Sequence, residues 1–507
     1  MIRKEIRTFF IPVPLMILLI VFSPLSEVQG AIYYAKSDLL PAGDCTRADP
    51  CYFLKAVDWA NDGDTVYFRQ GTYKNDTSNR VLIVNKSVRL LGGWDGEPHS
   101  RILVRDPEIY PSILDGENFR RVIYIYGDIS PIIDGFTIQN GDASGLATNC
   151  SGTGLTAGDC GGGIFVYQAA ARIVNNKILS NKALVSTVSN IAGYGGGIHL
   201  KQAGGSVIQG NLIQGNQANP TGNGYGGGMS FSGSTPNTIQ VDDNQFVNNS
   251  ATFCGGIISV LQTDLIIRDN FFDNNNSLTA AGLGVFGAGR ITKNHFQKHQ
   301  GQNTVYLGTY QGIFEKNTVV GNNTNTGIRM DYSGNSPFPR LSNNIIAESG
   351  INAIMASGTQ QNPLYATLEH NTLVGGGTGV AVTIPADKYA TLFLTNNIIA
   401  GFPVGVENNT PSASTVTARF TLFTPDVANH GVGVNFSNSL VGDPAFKDPA
   451  RNDYHIRLTS AARDAGTVNY IVTTEDMDGD PRIIGSAPDI GADEINPAFL
   501  YLPLIKK

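Results

Sequence analysis

The stretch YGGGIHLKQAGGSVIQGNLIQGNQA, Tyr194–Ala218, decides how the chain is read. It is almost free of charge, rich in Gly and Asn, and contains two short apolar alternations. GGGIFVYQAAARIVNNKILSNKA precedes it and YGGGMSFSGSTPNTIQVDDNQFVNNSA follows it. Further copies run through CGGIISVLQTDLIIRDNFFDNNNSL, AGLGVFGAGRITKNHFQKHQG and NTVYLGTYQGIFEKNTVVGNNT to weaker ones ending in ATLFLTNNIIAGF. Each copy carries an Asn followed two residues later by an apolar residue, at Asn176, Asn211, Asn244, Asn270, Asn294, Asn317, Asn344, Asn371 and Asn397. Five residues on, a second position reads Asn181, Asn216, Asn249, Asn275, His299 and Asn322, and DGFTIQNG fits with Gly135 and Asn140.

A repeat of about 25 residues built from period-2 runs is one coil of a parallel β-solenoid. Ile164 and Val166, Ile198 and Leu200, Met229 and Phe231, Leu283 and Val285, and Val305 and Leu307 form one inward row. A second runs Ile173, Ile208, Val241, Ile267, Ile291, Phe314, Leu341, Leu368, Leu394. Helical repeats are disfavoured, because Gly, Asn, Val, Ile and Thr abound. Asn tolerates left-handed corners, and its amide can bond to the same amide one coil away, which satisfies buried turn groups. The expected fold class is all-β, a right-handed parallel β-helix with a short N-terminal capping helix and a C-terminal cap module.

Of 507 residues, 59 are Gly and 15% are charged, with a net charge of -7. Residues 1–30 read as a signal peptide: Arg3, Lys4 and Arg7 precede the apolar run Phe9–Phe22, and SEVQG supplies a cleavage site at Gly30. A retained anchor is the alternative, but the run is short for a span and holds two prolines. No Cys follows to carry a lipid, and no other segment is long and apolar enough to cross a bilayer. An acidic exported chain without basic runs is a poor nucleic-acid partner. Cys45 and Cys51, and Cys150 and Cys160, are spaced for two local disulfides, with Cys254 left over; the spacings match no zinc pattern.

Residues 31–127 are read as an N-terminal cap and first coils, with an amphipathic helix in CYFLKAVDWANDGD facing Leu54, Val57 and Trp59 inward. Residues 128–410 hold the repeats, 411–495 the terminal coils and cap module, and 496–507 an apolar tail, either a sorting tag or a frayed end. GDTVYFRQGTY, LLGGWDGEP, ILDGENFRRVIYI and IDGFTIQNG resemble the opening of exported bacterial right-handed parallel β-helix proteins of the pectin-lyase-like superfamily. LVGDPAFKDPARNDYHIRLTSAARDAG and DMDGDPRIIGSAPDIGADE resemble the terminal module of its choice-of-anchor Q group. The resemblance implies an architecture and a secreted or cell-surface location. It implies no activity, because the fold hosts lyases, hydrolases, adhesins and inert rods.

Insertions of about 10 to 17 residues fall between the second ladder position and the GGG strand in three successive coils, and stacking makes them one wall. Beside it, the outward residues are Phe165 and Tyr167, His199 and Lys201, then Ser230 and Ser232. Aromatic faces stack on sugars, and His199 or Lys201 is the candidate base for a uronate lyase. A second outward row holds Gln240, Asp242, Arg268, Arg290, Thr292, Glu315, Arg340 and Glu369, read as ion pairs or as a saccharide track. No acidic cluster on the positions beside His199 and Lys201 offers a calcium site, and the polygalacturonase motifs are missing. Asp476, Asp478 and Asp480 alternate like the start of a calcium loop, yet Ala487 stands where an EF-hand needs Glu. A turn is the plainer reading there, with calcium the only cofactor suggested. The function expected is a non-catalytic surface protein that contacts extracellular polysaccharide or the cell envelope. A uronate lyase acting by β-elimination and a structural or adhesive rod are the alternatives.

Overall fold

The computed structural model describes residues 30–496, apart from 41, 147–149, 151–157, 185, 187–190, 234–236, 261–263, 332–337 and 348–349. The expected signal peptide and most of the apolar tail lie outside the described residues. Each coil contributes strands to three faces. The first face runs through Ile164–Tyr167, Ile198–Lys201, Met229–Ser232 and Ile257–Val260. The second runs through Arg172–Val174, Val207–Gln209, Ile239–Asp242 and Leu265–Arg268. The third is a 14-stranded sheet from Gly71–Tyr73 to Leu440–Val441. All pairings along these faces are parallel and join each coil to the next, for example Ile164 with Ile198 and Ile198 with Met229. The fold is therefore a parallel β-helix, right-handed as parallel crossovers are.

Both predicted inward rows are buried and fuse into one core that runs the length of the helix. The Asn ladder is continuous from Asn176 to Asn397. Each Oδ1 accepts from the backbone N–H and the Nδ2 of the Asn one coil earlier: Asn211 reaches Asn244 at 3.0 and 2.9 Å, and Asn371 reaches Asn397 at 2.9 and 3.0 Å. The Nδ2 groups also reach a carbonyl of the preceding coil, as Asn244 does with Ile208 O at 2.8 Å. A buried corner is thus satisfied with no water.

Two details differ from expectation. The left-handed residues are not the ladder Asn but their predecessors: Asn175, Gly210, Asp243, Asp269, Lys293, Lys316, Asn343, His370 and Asn396 all have φ between +51° and +64°. The ladder amide pins the corner, so even Lys adopts a conformation that costs a non-Gly residue about 1 kcal/mol. The first coil also enters one residue later than Gly135 and Asn140 suggest. Phe136 N–H donates to Asn176 Oδ1 and Gly141 N–H to Asn181 Oδ1, which makes Phe136 and Gly141 the ladder positions.

The capping helix spans Phe53–Trp59 and buries Phe53, Ala56 and Val57. Trp59 is 47% exposed, contrary to the inward reading, and Lys55 lies over its ring. Cys45–Cys51 and Cys150–Cys160 are disulfides, and Cys254 is free and buried. After Leu440–Val441 the chain forms an antiparallel pair, Phe446–Asp448 with Asp453–Ile456. This module lies along the outside of the third face. Tyr454, Ile456, Ala462, Ile490 and Ala492 cover outward Ile345, Ala347, Ile398 and Ala400. Buried Arg482 bonds Asn343 Oδ1 at 2.5 Å and the carbonyls of Gly491 and Ala492.

Candidate functional site

The insertions do form a wall. Gly158–Cys160, Ala192–Tyr194 and Asn223–Tyr225 make a three-stranded parallel sheet of their own. Tyr194, Tyr225 and Phe253 stack in sequence at 5.2 and 4.9 Å between ring centroids. The Gly residues at 161, 195 and 226 take φ of +57° to +68° to turn from wall to strand, and Cys254 takes +58° at the same place.

The wall folds over the first face instead of bordering an open groove. Phe165 is stacked between Tyr124 at 5.3 Å and His199 at 5.5 Å and is 1% exposed. His199 is fully buried; its Nδ1 lies 2.6 Å from Ser230 Oγ and its Nε2 3.2 Å from Ser232 Oγ. Burial, with the Lys201 and Arg121 charges nearby, holds its pKa at about 3. His199 is a neutral core residue and cannot reach a polymer, so the expected roles of His199 and Phe165 in binding, and of His199 as a base, are corrected here. The signal was the residue before each GGG, Cys160, Tyr194 and Tyr225, which packs into the wall's own core. Tyr167 and Lys201 stay half-buried at the rim, with the Lys201 ammonium 5.8 Å from the Tyr167 ring.

The second face carries the open feature. Its outward residues fall in two columns. Gln240, Ile266, Arg290, Ile313, Arg340, Thr367 and Phe393 align in one, and Asp242, Arg268, Thr292, Glu315, Ser342 and Glu369 in the other. Arg268 pairs with Asp242 at 3.0 Å; Glu315 takes Arg290 at 2.8 Å and Arg340 at 3.5 Å. Ion pairing, as expected, covers this sheet. Above it is a cleft of about 750 Å³ bounded by Arg290, Gln311, Phe338, Arg340, Glu369 and Val472. Phe338 stacks on Tyr365 at 4.9 Å, and both rings are more than a third exposed. Val472 comes from the C-terminal module, where its N–H meets Glu369 Oε2 at 3.4 Å. Burial raises the Glu369 pKa. The sequence supplied the charged row but not the aromatic pair or the module's edge, which only the fold brings there.

On the first face further along, Arg329 donates Nε to Asp331 Oδ1 at 2.9 Å, and the Tyr306 hydroxyl donates to Asp331 Oδ2. Burial and the Asp331 carboxylate raise the Tyr306 pKa, so the phenol keeps its proton. Tyr306 also borders an apolar cleft of about 210 Å³ with Tyr225, Phe253, Ile258 and Phe286.

The Asp476, Asp478 and Asp480 carboxylates turn to different partners. Asp476 is fully buried, and its Oδ1 accepts from the N–H groups of Asp478, Gly479 and Asp480 at 2.8–2.9 Å, while its Oδ2 accepts from Glu494 N–H at 2.9 Å. It is the hub of a turn. Asp478 faces His455, and Asp480 takes the amide of Asn496 at 3.2 Å. Asp242 is committed to Arg268 and Asp243 sits at a corner, so the two form no hydrolase pair.

No family model and no curated protein matches the sequence. Solved structures similar in outline include pectate lyase Pel9A (11% identity, 92% of this chain and 96% of that one, TM-score 0.36). A complex of XylC with xylose matches at 10% identity, 91% and 98% coverage and TM-score 0.44. The PL6 family polysaccharide lyase Pedsa3628 from Pseudopedobacter saltans matches at 11%, 87% and 100%, and 0.37. The class the fold defines, from its own strand pairings, is the right-handed parallel β-helix.

Proposed function

We propose that the protein is an exported surface β-helix that contacts extracellular polysaccharide along its second face without cleaving it. One observation carries this reading: the open cleft of about 750 Å³ is lined by the exposed Phe338 ring, which stacks on Tyr365, and by Arg290 and Arg340, both paired with Glu315. Exposed rings suit the apolar face of a sugar, and guanidinium groups suit its hydroxyls or a uronate carboxylate. Arg290 stays in this role from the sequence reading, joined by Arg340, Phe338 and Tyr365. Arg268 borders the same sheet but is held by Asp242. The two disulfides suit an oxidising compartment, and among the described residues no helix is long and apolar enough to cross a membrane. The resemblance of the chain's end to choice-of-anchor Q modules supports a location at the cell envelope.

The test is a glycan array followed by titration of the best polymer. Tyr365→Ala and Arg340→Ala should each weaken binding about tenfold, the worth of one ring or charge contact. Unchanged affinity in both refutes the groove, and an array without hits favours an inert rod. A second reading, a lyase, rests on the Tyr306–Asp331–Arg329 group, where Arg329 is placed to neutralise a uronate. Appearance of unsaturated-uronate absorbance on incubation with uronate polymers, lost in Arg329→Ala, would replace the non-catalytic reading.

A further inference from the structure

The two ends of the β-helix differ. At the N-terminal end the capping helix buries Phe53, Ala56 and Val57, and Cys51–Tyr52 pairs with the first strand at Ala35 and Lys36. At the C-terminal end the chain leaves the last turn for the outside of the third face, and the turn stays open. Its strands Asn429–Val432, Asn435–Ser437 and Leu440–Val441 pair with Val404–Asn408, Thr415–Arg419 and Leu422–Phe423 of the coil before. Among the described residues none of the three has a second neighbour. We propose that this end is an interface with a second copy of the chain, the two β-helices meeting end to end about a two-fold axis.

The core itself is open there. Phe436 and Val441 continue inward rows, opposite Ala418 and Phe423. Ala418 and Phe423 are fully buried, whereas Phe436 is 38% and Val441 57% exposed, with Val432 on the rim at 50%. The edge is also unguarded. Proteins protect free strand edges with charge or Pro, yet residues 427–442, VANHGVGVNFSNSLVG, contain no Asp, Glu, Lys, Arg or Pro. A row of free N–H and C=O groups without charge is a template for another strand edge.

Size and symmetry point to a second copy as the occupant. The last turn takes about 20 residues, and at interior packing density one layer about 4.8 Å thick then has a cross-section of about 550 Å². Two such ends bury about 1,100 Å², just above the roughly 1,000 Å² that a specific interface needs. A two-fold axis across the end sets each edge antiparallel to an edge of the other copy, which allows ladder bonds, and closes Phe436 and Val441 against their equivalents. Because the capping helix closes the N-terminal end, the contact does not repeat head to tail, and assembly stops at two.

The test is light scattering of the full chain after size exclusion, loaded at about 1 to 100 µM, since an interface of this size holds in about the micromolar range. The mass of two chains is expected at the upper end. Val432→Lys and Val441→Lys should each weaken the dimer at least tenfold, because every substitution enters a two-fold interface twice. Both side chains are exposed, so both variants should keep the parent's thermal melt. Leu40→Lys, at a 76% exposed position of the N-terminal cap, should leave the dimer intact, as should deletion of residues 497–507. Hydrogen exchange in Asn435–Ser437 should slow as the parent is concentrated, which reads the interface without any substitution. A single-chain mass at about 100 µM, a dimer that both Lys variants leave unchanged, or growth beyond two chains overturns the proposal. So does dissociation by Leu40→Lys. A two-chain mass that appears only after residues 497–507 are deleted also overturns it, by showing that the chain's own tail covers the end.

Discussion

His299 is the one residue of the second ladder that is not Asn between Asn181 and Asn322, and the substitution His299→Asn should stabilise the protein. Asn275 N–H donates to His299 Nδ1 at 3.1 Å, and His299 N–H donates to Asn322 Oδ1 at 3.0 Å. With Nδ1 accepting, the ring proton sits on Nε2, a buried donor with no acceptor. Such an orphan costs about 1–3 kcal/mol. Asn at this position would offer Oδ1 to Asn275 and Nδ2 to Asn322 Oδ1, as its ladder neighbours do. The smaller side chain leaves about 40 Å³ unfilled, worth about 1 kcal/mol, so the net gain near pH 7 is about 1 kcal/mol.

The sharper signature lies in pH. Burial holds the folded His299 pKa at about 3, against 6.5 for a solvated imidazole. Below 6.5 the unfolded chain takes a proton that the native chain refuses, so stability falls as pH drops from 6.5 toward 3. At pH 5 this costs about 2 kcal/mol, all of which Asn removes. His199 and His370 are buried in both proteins and cancel in the comparison. Local opening free energies from hydrogen exchange across coils 265–322 are the appropriate measure, because long repeat arrays do not unfold in one step. The gap between variant and parent should widen from about 1 to about 3 kcal/mol between pH 7 and pH 5. An equal gap at both pH values refutes the orphaned-imidazole reasoning.

Asn244→Ala removes the acceptor of Asn211 N–H and the donor to Ile208 O, and should cost about 3 kcal/mol of local stability, measured by exchange in the coils on either side. Gly224→Ala should abolish the wall, since a Cβ there would lie 1.4 Å from Ala218 O, whereas Gly376→Ala meets nothing within 4 Å and should be neutral in a thermal melt. Selective reduction of Cys150–Cys160 should destabilise the wall by about 3 kcal/mol, read as faster exchange in Gly158–Cys160 and Ala192–Tyr194; unchanged exchange there would show that stacking alone holds it.

The core and ladder were legible because a solenoid writes the same instruction in every coil. Ile173, Ile208 and Val241 occupy one position repeatedly, and a period is harder to misread than a single residue. The left-handed corner was misplaced by one residue because Asn175–Asn176 and Asn343–Asn344 are doublets, in which one Asn turns and the other bonds. Alternation also says which side of a strand a residue leaves, and it placed His199 and Phe165 outward correctly. Whether outward means solvent depends on what an insertion covers, and that is a tertiary fact. The Phe338–Tyr365 pair and the Val472 edge join coils to a module about a hundred residues away, beyond any local pattern. The module's landing strip did leave a trace: Ile345 and Ile398 are apolar where Lys177 and His295 stand in earlier coils.

That strip sets an order of assembly. Coils up to His295 bury their apolar side chains as soon as the next coil is laid down, so each needs only chain that has just emerged. From Val320 onward, Ile345, Ala347, Ile398 and Ala400 wait for Tyr454, Ile456, Ile490 and Ala492, which emerge as much as 170 residues later. During synthesis the distal half is a half-finished surface with a greasy stripe. A chain cut short before Asp443 would keep every coil and ladder bond yet expose that stripe for good, leaving a rod that sticks to its own kind.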